Sequence, residues 1–291
     1  MSLDASGTRL GRRAGPGPTP DIPPASASHP RPSPVASRGT SSPLRRIAPD
    51  ASAVLTGAYQ DNQAALGNYV TTAIRSIWAQ HIDPENFSGS WRDIGPVVKV
   101  IVAQHYAASA ADAADYYRNM HVVNGLRLPA VRDSILNAGH LNRMAGAVAN
   151  GNFYHQLNTQ KVDPARASEI ARNVMSGAGA RFALQGGRST VMAAVANDPD
   201  ATGWERIMTP IACSYCSMQA AQGPFKPGNT RFRAHDYCHC LAAPVLRGRQ
   251  PGNQDVKQAW DKLTGGLSGD DARAAWDDYW AGGRNATNTT H

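Results

Sequence analysis

From Asp50 onward apolar residues recur every three to four positions. Leu55, Tyr59, Leu66, Val70, Ile74, Ile77 and Trp78 fall on one face, which predicts a helix reaching about Gln80. Asp83-Pro84 breaks the pattern, and a loop carrying Phe87 and Trp91 leads to Pro96, a residue suited to the first turn of a second helix. Val98, Val102, Tyr106, Ala110, Ala113, Tyr117 and Met120 continue that helix to Asn124-Gly125. Residues 128–158 carry only helical patches, around Ile135, Leu136, Met144 and Val148, interrupted by Gly139, Gly146 and Gly151. Asp163 as cap and Pro164 at the first helical position open another helix through Ile170, Val174, Ala178 and Phe182. Gly186-Gly187 is expected to end it, with a short helix following from Arg188 to about Ala196.

Past the turn Asn197-Asp198-Pro199-Asp200 the period changes. Arg206-Ile207-Met208 and Leu241 to Leu246 read as short strands, and the Gly/Pro-rich loop Gln222 to Gly228 is expected to project from them. Val256, Trp260 and Leu263 mark one further helix. Ser268 with Asp271 forms a capping-box pattern opening another, along Ala272, Trp276 and Tyr279. The fold class expected is mainly α: a helical body, a small zinc-ribbon-like β module and C-terminal helices. The boundaries read as a tail at 1–48, a helical domain at 49–200, a Cys/His module at 201–248, and C-terminal helices with a frayed end at 249–291.

Composition changes the picture only at the N-terminus. Residues 1–48 hold nine of the 20 prolines and no aromatic residue, so the tail cannot bury enough apolar surface to offset its ordering and is expected to be disordered. The net charge of +7 is concentrated there too, with seven arginines against three aspartates in the first 50 residues. These arginines suit an acidic surface such as nucleic acid, or simply keep a tail solvated. The most apolar run, Pro96 to Ala103, is broken by Lys99 and is far too short to span a bilayer, so no membrane association is expected. No hydrophobic segment follows the N-terminal arginines, which argues against a secretory signal.

All four cysteines lie between Trp204 and Pro244. Cys213 and Cys216 form a C-x2-C pair. After 21 intervening residues come Cys238 and Cys240, with His235 three before the first and His239 between them. A C-x2-C knuckle turns two thiolates toward one point, and a second cluster on a returning segment can complete a tetrahedron, so the spacing points to a metal, Zn2+ by ligand type. Two disulfides or four free thiols are the other readings of the same cysteines, the former requiring an oxidising compartment. The candidate ligands are Cys213, Cys216, His235, Cys238 and Cys240. Zinc takes four, so the set contains the C-x2-C pair with two of the other three, and His239 would face the opposite side of an extended segment. His105, His121 and His140 stand alone in the sequence and read as packed or surface histidines.

The run G-W-E-R-I, then A-C-S-Y-C, then F-R-A-H-D-Y-C-H-C-L-A-A-P resembles the MuF-like head-morphogenesis, or minor capsid, proteins of tailed bacteriophages. The likeness is strongest to actinophage variants, which also carry the label capsid maturation protease. It is specific over about residues 186–247, and its matching positions are Trp204, Cys213, Cys216, His235, Cys238, Cys240 and Pro244. The resemblance implies a protein acting at or near the portal during capsid assembly, in contact with portal and capsid or scaffold proteins. It implies the phage head as location, with the host cytoplasm during assembly; the Arg-rich tail, which the resemblance does not cover, separately suggests packaged DNA as a further partner.

Three function classes follow. A structural protein uses zinc to fix a small ribbon on a helical body. A maturation protease needs catalytic groups, and the sequence has neither a G-x-S-x-G elbow nor an H-E-x-x-H helix, although a triad can assemble from distant residues. A DNA-binding zinc protein would use the tail and the cluster Arg231, Arg233, Arg247 and Arg249, which equally suits a solvated face.

Overall fold

The computed structural model describes residues 51–209, 212–229 and 231–287, the last five of these for their backbone alone. The expectation for the tail at 1–48 lies outside the described residues. Three long helices, α1 (Ala51–His81), α2 (Phe87–Val123) and α5 (Pro164–Ala196), pack against one another. Between α2 and α5 the chain runs without regular structure over 124–137, then forms α3 (Ala138–Gly146), a π-helical turn (Ala147–Gly151) and α4 (Asn152–Asn158). Strand β1 (Ala201–Ile207), helix α6 (Ser214–Ala221) and strand β2 (Leu241–Leu246) follow, and α7 (Gln254–Thr264) and α8 (Gly269–Thr287) close the chain. The architecture is mainly helical, with one small antiparallel two-stranded sheet. No helix among the described residues is long and apolar enough to cross a membrane.

Local signals set most boundaries. Asp163 caps α5 through a carboxylate that accepts from Arg166 N at 2.9 Å, with Pro164 in the first turn. Two expectations fail for one reason, which is that burial outweighs local propensity. Pro96 does not open α2 but sits inside it. An interior proline costs about 3 kcal/mol, and Phe87, Trp91 and Ile94 extend the buried face upstream of it by more than two turns. Gly186-Gly187 does not end α5 either. Both glycines lie where α5 crosses α2: a Cβ on Gly186 would stand 2.1 Å from the Tyr106 carbonyl oxygen, and Gly187 N donates to Ser109 Oγ at 2.9 Å. Their helix-propensity cost, about 1 kcal/mol each, is the condition for that close approach.

Helix α5 joins two apolar clusters. Its first half places Ala171, Met175 and Ala178 against Val70, Ile74, Trp78, Phe87 and Phe153. Its second half places Val191, Met192 and Val195 against Tyr117, Met120, Trp204, Leu241 and Leu246. The sheet is thus built onto the helical core rather than standing apart from it. Strand β1 starts earlier than its sequence pattern indicates and pairs Trp204 with Pro244 and Ile207 with Leu241. The 222–228 loop does not project. Phe225 exchanges both backbone hydrogen bonds with Trp204, at 2.9 and 2.7 Å, and stacks on its indole.

Candidate metal centre

Cys213 occupies the N-cap position of α6 and Cys216 its first turn, so the C-x2-C pair sits at the positive end of a short helix. The second pair arrives on the extended segment leading into β2. Tyr237, in that segment, adopts φ 60°. Its backbone N donates to Gly177 O at 3.5 Å and its hydroxyl donates to the Asn173 carbonyl, which docks the segment on α5. Gly177 is required there, since a Cβ would meet the Tyr237 ring at 2.6 Å. Arg181 and Asp236 add an ion pair at 2.9 Å.

These elements bring the five predicted ligands together. Cys213 Sγ lies 3.0 Å and Cys216 Sγ 3.3 Å from His235 Nε2, and Cys216 Sγ lies 3.5 Å from Cys238 Sγ. Cys213, Cys216 and His235 form one mutually close group and Cys216, Cys238 and Cys240 another, with Cys216 common to both. A tetrahedral zinc would set sulfur–sulfur edges of about 3.8 Å and sulfur–nitrogen edges of about 3.6 Å, so these three separations would open by about 0.3 to 0.6 Å. All four cysteines are free thiols. His239, by contrast, turns away and packs beside Gly67 and Leu184.

The surroundings fit a metal. His235 Nδ1 lies 2.7 Å from the Asp236 carbonyl. A carbonyl can only accept, so the ring proton belongs on Nδ1 and the Nε2 lone pair faces the sulfurs, which is the ligand tautomer. Two fully buried arginines, Arg188 and Arg206, flank the cluster. Arg188 donates to the carbonyls of Cys238 and Cys240, and Arg206 Nη1 lies 3.6 Å from Cys216 Sγ and 3.8 Å from Cys238 Sγ. Phe232 lies between them, 4.8 Å from the Arg188 guanidinium and 3.9 Å from that of Arg206. Their hydrogen-bond acceptors are backbone carbonyls and sulfurs, with no carboxylate among them. Two buried cations need a nearby negative charge, and thiolates are the groups in place to carry it. Hydrogen bonds from Cys216 and Cys240, with the charges of Arg188 and Arg206, hold the Cys238 thiol far below the usual thiol range. The cluster can therefore hold a metal ion.

Neither arginine was singled out from sequence, and the C-terminal helices proved equally close to the site. Trp276, fully buried on α8, donates from Nε1 to Ser217 Oγ at 2.9 Å, and Trp280 Nε1 donates to Ala212 O at 3.0 Å. Both pin the start of α6. Of the four arginines considered for DNA, Arg247 donates to Pro199 O and Arg249 to Ser52 and Asn124, so two are engaged within the fold.

The sequence pattern of the VG15 protein family matches residues 51–263, which takes in every element from α1 to nearly the end of α7. The chain belongs to the VG15 protein family. That family is phage-associated, so this is a phage-related protein. No curated protein and no solved structure matches the chain.

Proposed function

We propose that this is a bacteriophage head-morphogenesis protein, a MuF-like minor capsid protein acting at or near the portal, whose cysteine cluster holds a structural Zn2+. The phage-associated family match over 51–263 carries the reading, together with the motif likeness at Trp204, Cys213, Cys216, His235, Cys238, Cys240 and Pro244. A structural role suits the donor count. Five donors lie around Cys216 in two groups of three that share it, and a shell of Cys213, Cys216, His235 and Cys238 forms once Cys238 closes toward Cys213 and His235. A filled shell has no position for a substrate or an activated water. Zinc bound by three thiolates and one neutral imidazole carries a net charge of about −1, which offsets part of the buried positive charge of Arg188 and Arg206. The chain's own residues supply the rest: α6 presents two sulfurs, His235 is oriented by its neighbour's carbonyl, and Trp276 and Trp280 hold the helix in place.

Portal, scaffold and capsid proteins are the proposed partners, with the phage head as the site of action. Co-expression of those proteins with and without this chain tests the reading, scored for particle assembly and for processing of the scaffold and capsid chains. Malformed or absent heads without it, at unchanged processing, is the expected result. Loss of cleavage with normal assembly would turn the assignment to a maturation protease, and no effect on either would reject both.

A further inference from the structure

We infer a second metal site in this protein, for one divalent cation, built from His121, Asp198 and Asp200, none of which belongs to the cysteine cluster. His121 lies in the last turn of α2, and the two aspartates lie in the turn between α5 and β1. One nitrogen of His121 and one carboxylate oxygen from each aspartate all fall within 4.8 Å of one another. Sequence separates the histidine from the aspartates by more than 70 residues, which is why it read as isolated.

The state of His121 points to a ligand. Its side chain is fully buried, and Nδ1 lies 2.8 Å from the Arg127 carbonyl, which fixes a proton on that nitrogen. Nε2 is 2.8 Å from Asp198 Oδ2, a distance that an ion pair would satisfy, yet it has no hydrogen-bond partner there. A buried nitrogen and a carboxylate oxygen at that separation, without a hydrogen bond between them, suit neighbouring ligands of one ion: bonds of about 2.1 Å at a right angle put the two atoms about 3 Å apart. Asp198 is itself oriented, with Tyr117 OH donating to Oδ2 at 2.7 Å and Asp200 N donating to Oδ1 at 2.9 Å. Such outer partners are what hold a ligating carboxylate in place. Asp198 and Asp200 line a cavity of about 660 Å³ that also borders Arg127 and Arg132, so coordination positions on that side open to solvent. One imidazole and two carboxylates form a hard-to-borderline donor set, suited to Mn2+, Co2+ or Zn2+ and unlike the soft sulfur cluster.

The test uses the full chain with its cysteine cluster loaded with zinc, titrated with Mn2+ and followed by loss of the free Mn2+ electron paramagnetic resonance signal. One Mn2+ per chain should bind. Asp200→Asn, half-buried and outside the apolar clusters, should keep the fold and weaken binding by at least about tenfold, and Tyr117→Phe, which removes a partner of Asp198, by about 10- to 100-fold. His121→Gln should abolish binding, and if it does not fold, Asp200→Asn decides alone. Absence of Mn2+ uptake by the wild-type chain, or uptake undiminished in Asp200→Asn, would overturn the site and leave His121 and Asp198 as a buried ion pair.

Discussion

Replacing Arg206 by methionine removes a guanidinium that donates to the Cys216 and Cys238 sulfurs and lies over the Phe232 ring, while leaving an unbranched apolar side chain in its place. At separations of 3.6 and 3.8 Å, and an effective dielectric constant near 20, each thiolate is attracted to the guanidinium by about 4 to 5 kcal/mol. The desolvation of a buried guanidinium offsets several kcal/mol of that gain, so the net effect falls in the range of other outer-sphere partners of metal ligands, about 10- to 100-fold in affinity. Arg206→Met should therefore weaken zinc binding by that factor, read in competition with a chromophoric chelator at fixed pH, with circular dichroism showing an intact helical body. Arg206→Lys should fall between the two, since it keeps the charge and loses the planar fork. Zinc affinity of Arg206→Met within about twofold of wild type, in a folded protein, would refute the claim that the buried guanidinium stabilises the negative charge of the sulfur cluster.

Elemental analysis of the purified protein should find one zinc at the cysteine cluster, and Cys216→Ser, at the sulfur common to both ligand groups, should lose it along with the protease resistance of residues after Trp204; structural zinc contributes on the order of ten kcal/mol. Gly186→Ala should destabilise by about 1–3 kcal/mol or more, because the new methyl meets backbone of α2 rather than a side chain that can move aside, and chemical denaturation will measure it. Trp276→Ala should cost about 3–5 kcal/mol and expose the backbone amides of α6 to hydrogen exchange, whereas exchange confined to α8 would show that the tryptophan anchors only its own helix.

The long amphipathic helices were legible because their faces are continuous, and α1 and the start of α5 fall where the pattern and the caps put them. The errors cluster where tertiary contact overrides local preference. Gly186 and Gly187 look like a terminus until Tyr106 and Ser109 are known to lie against them, and Pro96 looks like a start until Phe87 and Trp91 are known to be buried. Helix α6 was missed because Cys213-Ser-Tyr-Cys216 reads first as a metal knuckle, and its eight residues give little periodicity. The five sulfur and imidazole donors could be picked out since they lie close in sequence, and the structure gathers them. Arg188 and Arg206 could not, because a buried arginine looks like any other until its acceptors are placed, and the same holds for His121 and its distant aspartates.

Helix α5, with 33 residues and a rise of 1.5 Å per residue, is a rod of about 50 Å. Near its middle Gly177, Arg181 and Arg188 receive the cysteine-bearing segment, and its far end delivers the chain into Asp198. The wide gap between those two stations is bridged by a single hydrogen-bonded element that cannot shorten. Tension applied to the sheet would thus be borne along one continuous axis, and the cysteine-bearing segment and the turn at Asp198 are held to one another through the same rod.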